Sequence, residues 1–235
     1  LVKYLVETFG YSRRRAVDLI KKSQVIVNGE MATSFTQTIS FGDEVSVGGQ
    51  KTTMTAGVQT ITLMMHKPKG VLSATIDARE KTVLDILPTN YRNLGLFPAG
   101  RLDKDSTGLL IITNDGELAY RLTHPSFELE KEYYLACSRP LTDREVIKLE
   151  QGVDIYQGGR TSLAKIKSLT IDHLPFHYSI VIHEGKKRQI KRMFATLGNP
   201  ITELQRVRVG RLVLPHHLLA GQVQELGVQE REMLT

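Results

Sequence analysis

The sequence predicts an α+β protein in two parts of unequal size, and three observations carry that reading. Residues 1–22 show apolar positions at helical spacing, followed by short β-rich runs broken at Asn28-Gly29 and Gly42-Asp43. From Ile61 onward, strand-like runs recur at Ile61–His66, Leu109–Thr113, Glu130–Leu135, Tyr178–Ile182 and Arg206–Gly210, with single helical segments between them. Residues 49–59 are rich in Gly, Thr and Gln and poor in large apolar side chains, which is the composition of a tether. The expected organisation is a small domain over 1–48, a linker over 49–59 and a larger domain over 60–235.

In the first part, Leu1, Leu5 and Phe9 recur at helical spacing and Gly10 stops the helix. Ser12 caps a second helix, Arg13 to Lys22, with Ala16, Val17, Leu19 and Ile20 facing inward. Its other face carries Arg13, Arg14, Arg15, Lys21 and Lys22, either a solvated basic surface or a phosphate-binding one. Val25-Ile26-Val27 and the turn at Asn28-Gly29 follow, and Glu44 to Val47 is the last expected strand of this part.

In the second part, the strand from Ile61 runs into Lys67-Pro68-Lys69-Gly70. A turn built on Pro98 and Gly100 then precedes Arg101-Leu102-Asp103, at the mouth of the buried strand Leu109–Thr113. Alternation sends Arg101 and Asp103 to one face and Leu102 into the core, which fits a surface ion pair as well as a site. Asn114 with Glu117 makes a capping box for a helix ending at His124-Pro125, and Thr142 with Glu145 makes another. Tyr133 and Tyr134 must point to opposite faces of their strand. Leu163 to Ile171 reads as a strand with one wet face. After Tyr178–Ile182, five of the seven residues from Lys186 to Arg192 are basic, ahead of a helical stripe of Ile190, Met193, Phe194 and Leu197. That basic run sits at a strand-to-helix turn, where backbone amides also attract phosphate. The tail past Gly221 shows no further signal.

Composition limits the function classes. At 41% hydrophobic and 24% charged residues, a chain of 235 residues is expected to be soluble and globular. Its net charge of +6 favours a polyanionic partner. The single Cys137 excludes an internal disulfide and a cysteine-based zinc site, and suits a reducing cytoplasm. No stretch approaches the roughly 20 apolar residues of a membrane helix, and the opening residues lack a signal-peptide core. A dinucleotide fingerprint, a P-loop and clustered metal ligands are all missing from the sequence.

The segment GRLDKDSTGLLIITNDGELA resembles the catalytic motif of the pseudouridine synthases, in the RsuA branch that modifies ribosomal RNA. Lys67-Pro68-Lys69-Gly70 is similar to that family's first motif, which is mainly structural, and the stretch from Gly185 to Met193 to its third. The opening helices and small sheet resemble the alpha-L RNA-binding domain of a small-subunit ribosomal protein and of many RNA-modifying enzymes. The resemblance implies a catalytic domain with a mixed, mostly antiparallel sheet flanked by helices and crossed by a cleft. It implies that Asp103 is the indispensable catalytic residue, that Lys186 pairs with its carboxylate and that Tyr133, in the Lys131-x-Tyr133 motif, stacks on the target base. Arg101 is expected to fill the space the base vacates or to hold a flanking phosphate, and Ile190 to pack under the base. Lys187, Arg188, Gln189, Lys191 and Arg192 are expected beside the RNA, together with Lys131 and the basic face of the second helix.

Isomerising uridine breaks the bond from ribose to N1 and rejoins the base through C5, so no cofactor and no metal is expected. The expected partner is ribosomal RNA in a small-subunit assembly intermediate, bound by a monomer, the short tail favouring the small-subunit branch over the large-subunit one. Two rivals remain at this level. Asp103-Lys104-Asp105-Ser106-Thr107 fits the D-x-D-x-T signature of aspartyl phosphotransferases, although the apolar strand such sites need before the first aspartate is missing; Asp105 then reads as a turn-stabilising residue. A non-catalytic RNA-binding assembly factor on the same scaffold is the other.

Overall fold

The computed structural model describes residues 1–35, 37–40, 42–53, 60–92, 94–156, 158–170 and 175–234. The chain divides into two compact units, one of Leu1–Thr60 with Asn93–Gly95 and one of Ile61–Arg92 with Leu96–Thr235.

In the first unit α1 (Val2–Phe9) ends at Gly10, whose φ of 69° is the left-handed conformation that glycine adopts without strain. The Ser12 side chain accepts a hydrogen bond from the Arg15 backbone N–H at 3.2 Å and so caps α2 (Arg13–Lys21). The inward face of α2, Ala16, Leu19 and Ile20, packs with Leu5 of α1 on Val25, Val27, Val45 and Val47 of the sheet. That sheet runs in the order β2-β1-β3-β4, from β1 (Val25–Val27), β2 (Glu30–Met31), β3 (Glu44–Val47) and β4 (Gln50–Thr53). The strand at Glu44 is therefore not the last. Gly48 and Gly49, at φ 57° and 82°, make the tight turn that pairs β4 with β3, so the first part of the expected linker is strand. The rest of that linker, 54–59, lies outside the described residues.

The second unit is built on a nine-stranded sheet. Its path begins with β11 (Lys165–Ser168), β12 (Tyr178–Ile182), β8 (Lys131–Cys137) and β13 (Ile201–Val209). It continues through β7 (Thr107–Thr113) and β5 (Thr62–Lys67) to β15 (Val223–Glu225). Off this path, β6 (Phe97–Ala99) pairs with β7 and β14 (Leu212–Val213) with β13. A separate hairpin joins β9 (Asp154–Ile155) and β10 (Gly159–Arg160). The helices are α3 (Gly116–Thr123), α4 (Asp143–Glu150), α5 (Gln189–Ala195) and α6 (Val228–Glu232). Every pairing in the large sheet is antiparallel except β7 with β13, which makes it the expected mixed sheet.

That parallel pairing places Gly108 opposite Arg206. With φ at 107°, a Cβ on Gly108 would lie 2.2 Å from the Arg206 carbonyl oxygen, so the closeness of the two strands depends on glycine. Leu109 to Ile112 of β7 are at most 1% exposed and form the centre of the core.

Several local expectations change. The α3 cap is Asp115, whose carboxylate accepts from the N–H groups of Glu117 and Leu118, whereas Asn114 is buried and accepts from Ile61 N–H. Pro98 lies within β6, and β11 is shorter than the expected run, Ile171 being outside the described residues. The tail contributes β15, which closes the β5 edge of the sheet. The capping box of α4 on Thr142 and Glu145 forms as expected.

Candidate active site

The loop from Gly100 to Ser106 leads into β7 and is fastened from below. Leu102 points into the core at 6% exposure, and its backbone N–H and C=O both bond the Ser73 hydroxyl, at 3.1 and 2.9 Å. Beneath the loop lies Lys67, the last residue of β5, with 0% exposure. Its ammonium donates to the carbonyls of Pro68 and Ser106 at 2.9 Å and of Lys104 at 3.4 Å. Burial pulls this ammonium down to about 8, against the upward effect of the nearby Asp105 and Asp103 carboxylates. Leu102 inside, Arg101 exposed and Asp103 half-buried is the alternation the sequence implies. No ion pair joins Arg101 to Asp103 among the described residues.

Asp103 opens on a cavity of about 290 Å³ whose other walls include Tyr133 from β8, Ile190 from α5 and the turn Gly185–Arg188. Tyr133 and Ile190 are buried, at 8% and 4% exposure, and give this otherwise strongly basic cavity an aromatic and an apolar wall. Tyr134 faces the other side of the sheet, against Phe176.

The cation facing Asp103 is Arg188, not Lys186. Arg188 has φ 51° at the start of α5, and its guanidinium lies 3.8 Å from Asp103 Oδ2 and 3.2 Å from Asp105 Oδ2. Lys186 is drawn the other way: its ammonium lies 3.5 Å from Glu184 and donates to the Arg160 carbonyl. Lys191 pairs with Asp105 at 2.5 Å. Asp105 lies in the expected turn, which the Ser106 N–H closes on the Asp103 carbonyl at 3.0 Å, and its carboxylate is in addition an ion-pair hub. Burial pushes its carboxyl upward, but the hydrogen bonds from Lys191 and Arg188 outweigh that and hold it at about 2. Gln189 is buried and bridges backbone to side chain, accepting from Lys186 N–H and donating to Glu184. Lys187 remains exposed at the cavity rim, and Arg192 is half-buried.

A family model described as RNA pseudouridylate synthase matches residues 61–196. The chain belongs to that family. An S4 domain model matches residues 1–45 of this synthase, the unit carrying the basic face of α2. Ribosomal large subunit pseudouridine synthase B of Bacillus subtilis is 36% identical to it, covering 95% of this chain and 90% of its own. Ribosomal small subunit pseudouridine synthase A of Yersinia pestis is 33% identical, over 98% and 95%. A crystal structure of a pseudouridylate synthase superposes with a TM-score of 0.69 at 31% identity, covering 100% of this chain and 99% of that one. The protein is an isomerase acting on RNA, with an S4 RNA-binding domain ahead of the catalytic one.

On the S4 domain, Arg13, Arg14, Arg15, Lys21 and Lys22 are all exposed. Among the described residues Asp18 is the acidic side chain paired with them, 3.0 Å from Lys22 and 3.7 Å from Arg15. In the catalytic domain, sequence reasoning gave Arg206 no role and Lys67 only a motif. Both are buried cations on β-strands. Lys67 carries a sequence signal, a charged residue closing a mostly apolar strand, where a Lys is retained only with partners, whereas Arg206 sits in a strand that alternates with polar residues and carries none.

Proposed function

We propose that this synthase converts a specific uridine of ribosomal RNA to pseudouridine, with Asp103 as the catalytic carboxylate. The observation that carries this reading is the placement of Asp103: held on a fastened loop, at a cavity between Tyr133 and Ile190, with Arg188 beside it. The uridine leaves its stack to enter, at a cost of a few kcal/mol that stacking on Tyr133 offsets by about 1–3 kcal/mol. Ile190 closes the other face of the base, and Arg101, exposed at the rim, takes the vacated space or a flanking phosphate. Asp103 assists scission of the bond from ribose to N1, and the detached base turns and bonds through C5. The C5 proton leaves and N1 gains one, so no atoms are exchanged with a donor and no cofactor is called for. A leaving base that is recaptured needs no activated water, and one carboxylate therefore suffices where glycosidases use two.

The proposed substrate is small-subunit RNA in a cytoplasmic assembly intermediate, bound by a monomer. Large-subunit RNA is the second reading, favoured by the 36% identity to the large-subunit enzyme of Bacillus subtilis. The test is a pseudouridine map of both ribosomal RNAs, as transcripts and as assembly intermediates, after treatment with the protein or its Asp103→Asn variant. One new site in small-subunit RNA, absent with the variant at a rate lower by at least about a thousandfold, is the expected result. A site only in large-subunit RNA moves the target; no site on any substrate with binding intact points instead to an assembly factor.

A further inference from the structure

Next to the Asp103 cavity lies a larger one, of about 510 Å³, and Arg101, Tyr133, Gly185 and Lys186 line both. Its charge is one-sided. Arg101, Lys131, Lys186 and Arg206 face it against a single carboxylate, Glu184. Glu184 is already engaged: one oxygen accepts from Ser162 N–H and Gln189 Nε2, at 2.8 and 2.6 Å, and the other faces Lys186. Arg206 is only 4% exposed, and its Nε donates to the Leu109 carbonyl at 2.7 Å. The Lys131 ammonium donates to the Leu129 carbonyl at 2.9 Å. Neither cation has a carboxylate within ion-pair distance among the described residues. Burial, with the Arg206 charge adding to it, pulls Lys131 down to about 8, a penalty that a bound anion relieves.

His124 lines this cavity and joins it to an aromatic cluster outside its lining: the His124 ring lies 4.7 Å from Tyr120 and 6.4 Å from Phe127. Tyr120 and Phe127 meet edge to face at 5.8 Å and are 53% and 47% exposed. Aromatic rings beside a cationic groove are the combination by which proteins hold unpaired nucleotides, the rings taking bases and the cations phosphates.

We propose that this cavity is a second nucleotide subsite of the synthase. It takes the backbone phosphate of an unpaired nucleotide next to the target uridine, on Lys131 and Arg206, and stacks that nucleotide's base on the Tyr120–His124–Phe127 surface. The inference rests on reading the Asp103 cavity as the uridine site. It assigns to the catalytic domain a preference for uridines with an unpaired neighbour, independent of the S4 domain.

The test uses the full-length protein and short single-stranded RNAs that carry one uridine with 2-aminopurine on its 5′ or 3′ side. Wild type is expected to quench the 2-aminopurine on one side only. The exposed-surface variant Tyr120→Ala/Phe127→Ala loses that quenching and binds roughly tenfold more weakly or worse. Lys131→Met lowers the slope of log affinity against log salt by about 0.7, one single-strand phosphate contact. Asp103→Asn keeps both the quenching and the slope while forming no pseudouridine, which separates this subsite from the catalytic reading. Quenching and slopes equal to wild type in both subsite variants overturn the proposal, whether or not pseudouridine forms. So does an effect confined to assembling particles with naked RNA unchanged, which gives the aromatic surface to a protein partner.

Discussion

The two basic surfaces of this synthase differ in what their cations face. Among the described residues, the five exposed cations of α2 on the S4 domain are answered by Asp18 alone, and Arg13 and Arg14 make no ion pair. In the stretch 186–192 most of the charge is spent within the protein: Lys186 on Glu184, Arg188 on Asp103 and Asp105, and Lys191 on Asp105. The first surface can release counterions on meeting phosphate; the second is a scaffold that fixes a carboxylate. Similar runs of Lys and Arg therefore do different work, and what decides between them is the supply of acidic partners that the fold brings within reach.

If the catalytic-side cations are scaffold, removing them must cost structure and rate rather than salt-dependent binding. The largest effect is expected at Lys67, the most deeply placed. Lys67→Met leaves three loop carbonyls without their donor, and the variant should lose about 3 kcal/mol of stability in urea denaturation, with activity falling further than binding. A variant as stable as wild type would show that the loop is held by Ser73 and Leu102 alone. Next comes Arg188→Ala, for which kcat should fall about a hundredfold with the salt slope of binding unchanged. Arg188→Lys should recover only part of that, because a single ammonium cannot span both Asp103 and Asp105 as the guanidinium does. A drop in salt slope with kcat intact would instead make Arg188 a phosphate contact and erase the contrast.

Much of this contrast could not be seen in the sequence. Helices α1 and α2 were legible because their signals are local: Gly10 as the stop of the first, Ser12 as the cap of the second, and apolar residues at helical spacing in both. Strand β7 and the alternation of Arg101, Leu102 and Asp103 were legible for the same reason, since period and turn chemistry act over a few residues. The partner of Asp103 was not, because the choice between Lys186 and Arg188 depends on the left-handed backbone at Arg188 and on Glu184 and the Arg160 carbonyl claiming the lysine. Strand β4 was missed because Gln50 to Thr53 is polar, and Gly48-Gly49 reads as flexible linker as readily as a hairpin turn. Arg206 looked like one polar position in an alternating strand. Its burial at 4% exposure and its hydrogen bond to the Leu109 carbonyl, where β13 pairs in parallel with β7, show that this position faces inward.

The smallest expected effect tests the S4 side of the comparison. Arg13→Ala/Arg14→Ala removes two exposed charges that no acidic side chain balances among the described residues, so the fold should be indifferent to the change, within about 0.5 kcal/mol. A cation that sits on a phosphate contributes roughly 0.7–0.9 to the log–log salt slope of RNA binding through the counterions it displaces. If both arginines sit on phosphates, the double variant should show a slope shallower by about 1.4–1.8, an affinity deficit that fades as salt is raised, and an unchanged kcat at saturating RNA. The sign of the salt dependence is what matters. A deficit that persists at high salt would mean that these arginines bond directionally to bases or fold the domain, and α2 would then be a scaffold of the same kind as the stretch around Arg188.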